Sequence, residues 1–100
     1  MATKLSKIIN HWVPENSKVI DFGCGDGSLL KELIETKNIL AYGVEINNLK
    51  IEKCIEKGVP VIKQDIDKGM NEFKSSNFDL SIMARSIQCL KNPNLAPVSY

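Results

Sequence analysis

Three glycines and three carboxylates carry most of the chemistry that the sequence could perform. Gly23, Gly25 and Gly27 alternate with Cys24 and Asp26 directly after Asp21-Phe22, and Glu45 stands twenty positions beyond Gly25. Glycines at this spacing permit a tight turn and leave bare backbone for a ligand to lie against. The dinucleotide fingerprint GxGxxG needs a glycine where this chain has Ser28, and no GK[ST] follows. A pyrophosphate over this loop would also lie beside Asp21 and Asp26. Two like charges about 4 Å apart cost on the order of 4 kcal/mol at an effective dielectric near 20. The same carboxylates would attract a ligand bearing a sulfonium and an ammonium, which is the charge pattern of S-adenosyl-L-methionine (AdoMet). The plainer alternative is that Asp21 and Asp26 only stabilise the turn and the start of the helix.

Glu45 ends a second strand, at a distance where a carboxylate accepts both hydroxyls of a ribose held over the loop. This feature fits AdoMet and NAD equally, because both carry adenosine. Ile46 then offers an apolar face to the adenine. Gln64-Asp65-Ile66-Asp67 closes a third strand. Asp65 is the better acceptor for an adenine amino group, with Ile66 beside it as a further cofactor-binding position. Asp67 reads as a cap, and a structural role for Asp65 is the alternative.

The elements that must hold these residues follow from periodicity. Leu5, Ile8, Ile9, Trp12 and Val13 recur at helical spacing, predicting a helix over 3–13 that ends at Pro14. Residues 18–22 form a short buried strand running into the glycines. A helix from Ser28 turns Leu29, Leu30, Leu33 and Ile34 to one face. A strand over 39–45 precedes a helix with Ile51, Cys54 and Ile55 inward, capped by Asn47 and stopped by Gly58. Residues 59–64 form a third strand, with Pro60 at the first position of an edge. Residues 67–73 predict a short helical turn, 78–84 a fourth strand, and 86–90 the start of a helix. Strands alternating with helices predict an α/β, Rossmann-like, open and mainly parallel sheet of order 3-2-1-4, with helices on both faces.

Composition sets the outer bounds. A chain of 100 residues is one domain at most, and 43% hydrophobic with 25% charged residues is ordinary globular usage. A net charge of +1 and the absence of a basic stripe give no footprint for nucleic acid. No apolar run is long enough to span a bilayer. Cys24, Cys54 and Cys89 form no CxxC or metal-ligand pattern, so reduced thiols in a cytoplasmic protein are expected, with no metal.

Asp21-x-Gly23-x-Gly25-x-Gly27, followed by Glu45 and Asp65 at strand ends, resembles the AdoMet-binding signature of class I methyltransferases. The wording around it is closer to one family. Residues Val19 to Leu30, Tyr42-Gly43-Val44-Glu45-Ile46, Cys54 to Ile62, Gln64 to Gly69 and Phe78 to Ile82 are similar to successive segments of the methionine biosynthesis protein MetW family. The resemblance implies AdoMet as cofactor and an association with methionine biosynthesis. It also implies a partner, a homoserine O-acyltransferase, which such a protein would assist as a non-catalytic accessory subunit; a methyl acceptor is not implied. An NAD-type binding domain is the less favoured alternative. Where that family carries Ser-Gln-Thr-Leu-Gln after the fourth strand, this chain has Ala84-Arg85-Ser86-Ile87-Gln88, so only Ile87 and Gln88 carry over.

Members of that family also run longer. Residues 1–100 are therefore expected to be a single, truncated AdoMet-binding, methyltransferase-like domain, inactive in methyl transfer alone. Its strand at 78–84 should be an open apolar edge, prone to self-association. The remaining polar residues read as structural. His11 is expected on the surface, Trp12 and Phe22 in the core, and Asp79 at a turn. No residue belongs to an acid–base constellation. Any methyl transfer would rest mostly on positioning the sulfonium against an acceptor.

Overall fold

The computed structural model describes residues 4–65, 77–83, 86–90 and 98–99. Helix α1 spans Lys4–Trp12, strand β1 Lys18–Phe22, α2 Ser28–Lys37, β2 Leu40–Glu45, α3 Asn48–Glu56 and β3 Val61–Lys63. Strands β4 (Leu80–Met83), β5 (Ser86–Cys89) and β6 (Val98–Ser99) complete a sheet of order β3-β2-β1-β4-β5-β6. Strands β1 to β4 are mutually parallel, whereas β5 and β6 add antiparallel. The expected 3-2-1-4 order is therefore present, in a Rossmann-like α/β sheet.

Central strand β1 is buried at Val19, Ile20, Asp21 and Phe22. Such a run, apolar on both sides, belongs to a parallel strand with neighbours on either hand. Alternation sorts the core into two clusters. Val19, Ala41, Leu80, Ile82 and Ile87 face Ile9 of α1 and Val13 just after it, Leu30 and Leu33 of α2, and Cys54 of α3. Ile20, Phe22 and Val44 point the other way and meet Phe78. All three described helices thus pack on one face, where helices on both were expected. The predicted turn at 67–73 lies outside the described residues.

Turn chemistry explains the boundaries. Asn38 caps α2 in the left-handed conformation that asparagine tolerates, and its N–H bonds Ile34 O. Asn16 is also left-handed; its N–H reaches Lys37 O at 2.8 Å and its side chain accepts from Asn38 at 2.8 Å. The Asn47 side chain accepts from Lys50 N–H and caps α3. Gly58, at φ 75°, ends it. Asp79 clasps the start of β1, accepting Lys18 N–H on its carboxylate and donating its own N–H to Lys18 O.

Several expectations are corrected. Residues 86–89 form strand β5, not the start of a helix. The segment is too short to repay helix nucleation, and Ile87 pairs with Ile82 across the ladder. Strand β4 is consequently not an open edge, because β5 covers it. Trp12 is half exposed and Ile55 is 65% exposed, since Ile9, Val13 and Cys54 already fill the contact under their helices. Finally, β3 covers residues 61–63 rather than 59–64, and β4 begins at Leu80 rather than Phe78. Among the described residues, no helix is long and apolar enough to cross a membrane.

Candidate functional site

The glycine loop leaves β1 at its carboxyl end and is fastened at once to β2. Gly23 and Cys24 both donate N–H bonds to Val44 O, at 2.7 and 3.1 Å. Gly23, Gly25 and Gly27 have φ of 81°, 61° and 82°. This left-handed region disfavours any side chain, which is why three alternating glycines are needed. The glycines differ in surroundings. A Cβ at Gly27 would stand 3.0 Å from Cys54 Sγ, whereas one at Gly25 would meet nothing within 4 Å. Gly27 therefore packs inward, and Gly25 presents open backbone at the crevice.

Glu45 is the latch of this arrangement. Its Oε1 accepts Gly25 N–H at 2.9 Å, and its Oε2 accepts Ile46 and Asn47 N–H at 3.0 and 2.9 Å. Burial works against its charge, but the N–H bonds of Asn47, Gly25 and Ile46, with Lys50 nearby, outweigh burial and hold the carboxyl below its usual range. A carboxylate offers about four acceptor positions. Three are in use, by Gly25 on Oε1 and by Ile46 and Asn47 on Oε2, and Oε1 keeps room for a further donor.

Asp21 is buried beside it. Burial first, and the Glu45 charge second, push its carboxyl up to about 7. A cation arriving in the crevice would relieve both. Asp26 behaves differently. Its Oδ1 accepts Ser28 N–H at 3.0 Å, and Lys57 Nζ donates to its backbone carbonyl at 2.9 Å while lying 3.6 Å from Oδ2. The Ser28 bonds come first, and with Lys57 they lower this exposed carboxyl. Asp26 thus stabilises the turn and the start of α2, in line with the plainer alternative, and its charge is already answered.

Ile46 is 55% exposed directly beyond Glu45, an apolar surface at the rim. Asp65 is exposed two residues past β3, next to Gln64, whose N–H bonds Glu45 O at 3.1 Å. It therefore lies along the same carboxyl edge of the sheet. Ile66 falls outside the described residues. Cys24 sits under the loop, buried, where packing against β2 holds it. Two contributors are not evident from the sequence. Lys57 bridges α3 to the loop, which nothing local signals. Gly43 admits no side chain, because a Cβ there would be 2.5 Å from Cys24 Sγ; a glycine inside a strand is the available clue to such an approach. Among the described residues, no three His, Cys, Asp or Glu side chains group as metal ligands.

The residues fit an adenosyl ligand in charge and space: open backbone at Gly25, an uncompensated buried carboxyl at Asp21, an acceptor position at Glu45 and an apolar rim at Ile46. A glycine loop between β1 and α2, an acid ending β2, and strands ordered 3-2-1-4 define a class I methyltransferase-type fold. The solved structures agree. Sp1610 of Streptococcus pneumoniae, a candidate tRNA (m1A22) methyltransferase, superposes with a TM-score of 0.66 at 16% identity, over 81% of this chain and 40% of that one. A SAM-dependent methyltransferase from Thiobacillus denitrificans, in complex with S-adenosyl-L-homocysteine, gives 0.58 at 17% identity, over 65% and 30%. The chain belongs to the MetW family: the sequence model of methionine biosynthesis protein MetW matches residues 4–96. A curated relative, the bifunctional methionine biosynthesis protein MetXA/MetW of Rhodopirellula baltica, is 28% identical over 88 residues, 80% of this chain and 14% of that protein. The chain spans less than half the length of each of these proteins.

Proposed function

We propose that the chain binds AdoMet, or its product S-adenosyl-L-homocysteine, as the cofactor-binding part of a cytoplasmic protein of methionine biosynthesis. The observation that carries this reading is the latch of Glu45 on Gly25 beside buried Asp21. It presents bare backbone, one free acceptor position and a buried carboxyl whose ionisation an arriving cation would favour within one crevice. Glu45 Oε1 takes a single ribose hydroxyl, Gly23 and Gly25 lie along the methionine and ribose portion, Ile46 covers the adenine, and Asp21 faces the cationic end. Asp65 lies on the side of the adenine amino group. The bound group supplies an activated methyl, and the chain's own residues orient it and exclude NAD, whose pyrophosphate Asp21 would repel. Neighbours of the same fold crystallised with S-adenosyl-L-homocysteine support the ligand class. Calorimetry with AdoMet, S-adenosylhomocysteine and NAD tests it, the first two binding more tightly; preference for NAD would refute the reading.

A second reading concerns use rather than ligand. The Rhodopirellula baltica relative joins MetXA and MetW in one polypeptide, which favours an accessory subunit acting beside a homoserine O-acyltransferase. Copurification, with acyltransferase activity measured with and without the chain, tests it. No association and no change in rate would refute it.

A further inference from the structure

We propose that Cys24 and Cys54 are a modification site, a thiol pair that a peroxide oxidises to an intramolecular disulfide, reshaping the glycine loop. Their Sγ atoms lie 3.8 Å apart beneath the loop, although 30 positions separate them in sequence. Both thiols approach the same acceptor, Gly25 O, Cys54 at 3.2 Å and Cys24 at 3.8 Å. A disulfide needs sulfurs about 2.05 Å apart, so a modest further approach closes the bond. Cys24 stands between Gly23 and Gly25, and its approach to Cys54 has to loosen the Gly23 and Cys24 N–H bonds to Val44 O and the Gly25 N–H bond to Glu45. Cys54 is held within α3, so the movement falls on the loop. Cys89 lies on β5 and serves as an internal reference.

The oxidant is hydrogen peroxide. Cys24 keeps 8% exposure and Cys54 none, so Cys24 meets it first. Its thiolate attacks the O–O bond; an S–O bond forms, the O–O bond breaks, and the departing hydroxide leaves as water with the thiol's proton. The Cys54 sulfur then displaces the oxygen of the sulfenic acid, forming the S–S bond, and that oxygen leaves as a second water with the Cys54 proton. Two thiols are oxidised and one peroxide is reduced to two waters. Burial holds both thiols above their usual range, which makes the pair a slow target that responds to sustained peroxide. Closure draws Cys24 away from Gly43 toward α3 and displaces Gly25 from Glu45. A loss of ligand affinity follows, and this last step rests on the adenosyl reading above, whereas the bond does not.

The experiment treats the full chain with excess hydrogen peroxide, then alkylates it under denaturing conditions for mass analysis. The expected product is lighter by about 2 Da before alkylation. Whatever the state of the more exposed Cys89, the digest yields a peptide joining Cys24 to Cys54, which dithiothreitol separates. Alkylated Cys24 and Cys54 after the treatment, or sulfinic acid at Cys24 without a crosslink, would each overturn the proposal. Cys54→Ser should accumulate a dimedone-reactive sulfenic acid at Cys24, and Cys89→Ser should behave as the wild type. Calorimetry with S-adenosylhomocysteine should show affinity falling by about tenfold on oxidation, a coupling of ordinary allosteric size. Equal affinity in both states would overturn the coupling. A reduced protein that binds nothing would overturn the adenosyl reading and leave the crosslink result standing.

Discussion

Asp21 and Glu45 are neighbouring carboxylates whose environments pull them in opposite directions, and stability should record this as opposite responses to pH. Asp21 titrates near 7 in the fold against 3.8 in the unfolded chain. The folded state therefore binds more protons between these values, and the Asp21 contribution to stability declines as pH rises from about 4 to 7. Asp21→Asn removes the buried charge without changing shape. It should stabilise the protein at pH 8 by on the order of 4 kcal/mol, since a tenfold change in proton affinity between the folded and unfolded chain is worth about 1.4 kcal/mol. The gain should vanish below pH 4. Urea unfolding of both proteins across this range measures it; a constant difference would mean that Asp21 titrates normally. Glu45 has the reverse sign. Its lowered folded value contributes stability above 4.5, lost as pH falls. Glu45→Ala strands the N–H groups of Gly25, Ile46 and Asn47. It should weaken adenosyl ligand binding by about 1–3 kcal/mol through lost charge-assisted hydrogen bonds. An unchanged dissociation constant in a folded variant would leave Glu45 only its structural role.

Within the loop that joins β1 to α2, two glycines with similar dihedrals should fail in different ways. Gly27→Ala puts a methyl 3.0 Å from Cys54 Sγ and 3.4 Å from its Cα at φ 82°. Strain and collision add, and the melting temperature should fall markedly. Gly25→Ala has the strain alone, about 1–2 kcal/mol for a left-handed residue, because no atom lies within 4 Å. It should fold, yet lose ligand binding, as the methyl occupies the open backbone. Thermal melting with calorimetry separates the two; equal melting temperatures would contradict the packing difference. This loop is legible in the sequence because strand, alternating glycines and helix are local signals that agree. Strand β5 is not, because whether Ser86–Cys89 coils or extends is decided by Ile82 and Leu80 across the ladder, and a four-residue run carries no period of its own. Trp12 misleads for a related reason. Helical spacing identifies a face, but which residues at its margin are covered depends on how far the neighbouring elements reach. Asp26 has the look of a ligand contact in the sequence, yet Lys57, supplied from α3, answers its charge.

At the scale of the whole molecule, the stability of the sheet past β4 should depend on Ile87, which is buried against the α1–α2 side of the core although β5 is short. Ile87→Ala should cost about 2–4 kcal/mol, measurable as a lower urea midpoint. A change within error would mean that β5 is dispensable to the fold. The clasp between Lys18 and Asp79, and the pairing of Val19 with Leu80, also join points 61 residues apart, while β4 and β5 are adjacent in the chain. Closing a long loop costs entropy before any contact rewards it. The β4–β5 hairpin and the three helices are thus expected to form early on the folding pathway, and the docking of residues 80–83 onto β1 to be the slow event. Refolding kinetics should show it: Leu80→Ala should slow folding, and Ile55→Ala, on the outer surface of α3, should leave the rate unchanged. Because the glycine loop is fastened to Val44 and Glu45 of β2 and, among the described residues, to nothing on β4, the crevice can take shape as soon as β1 and β2 pair, before residues 80–83 dock.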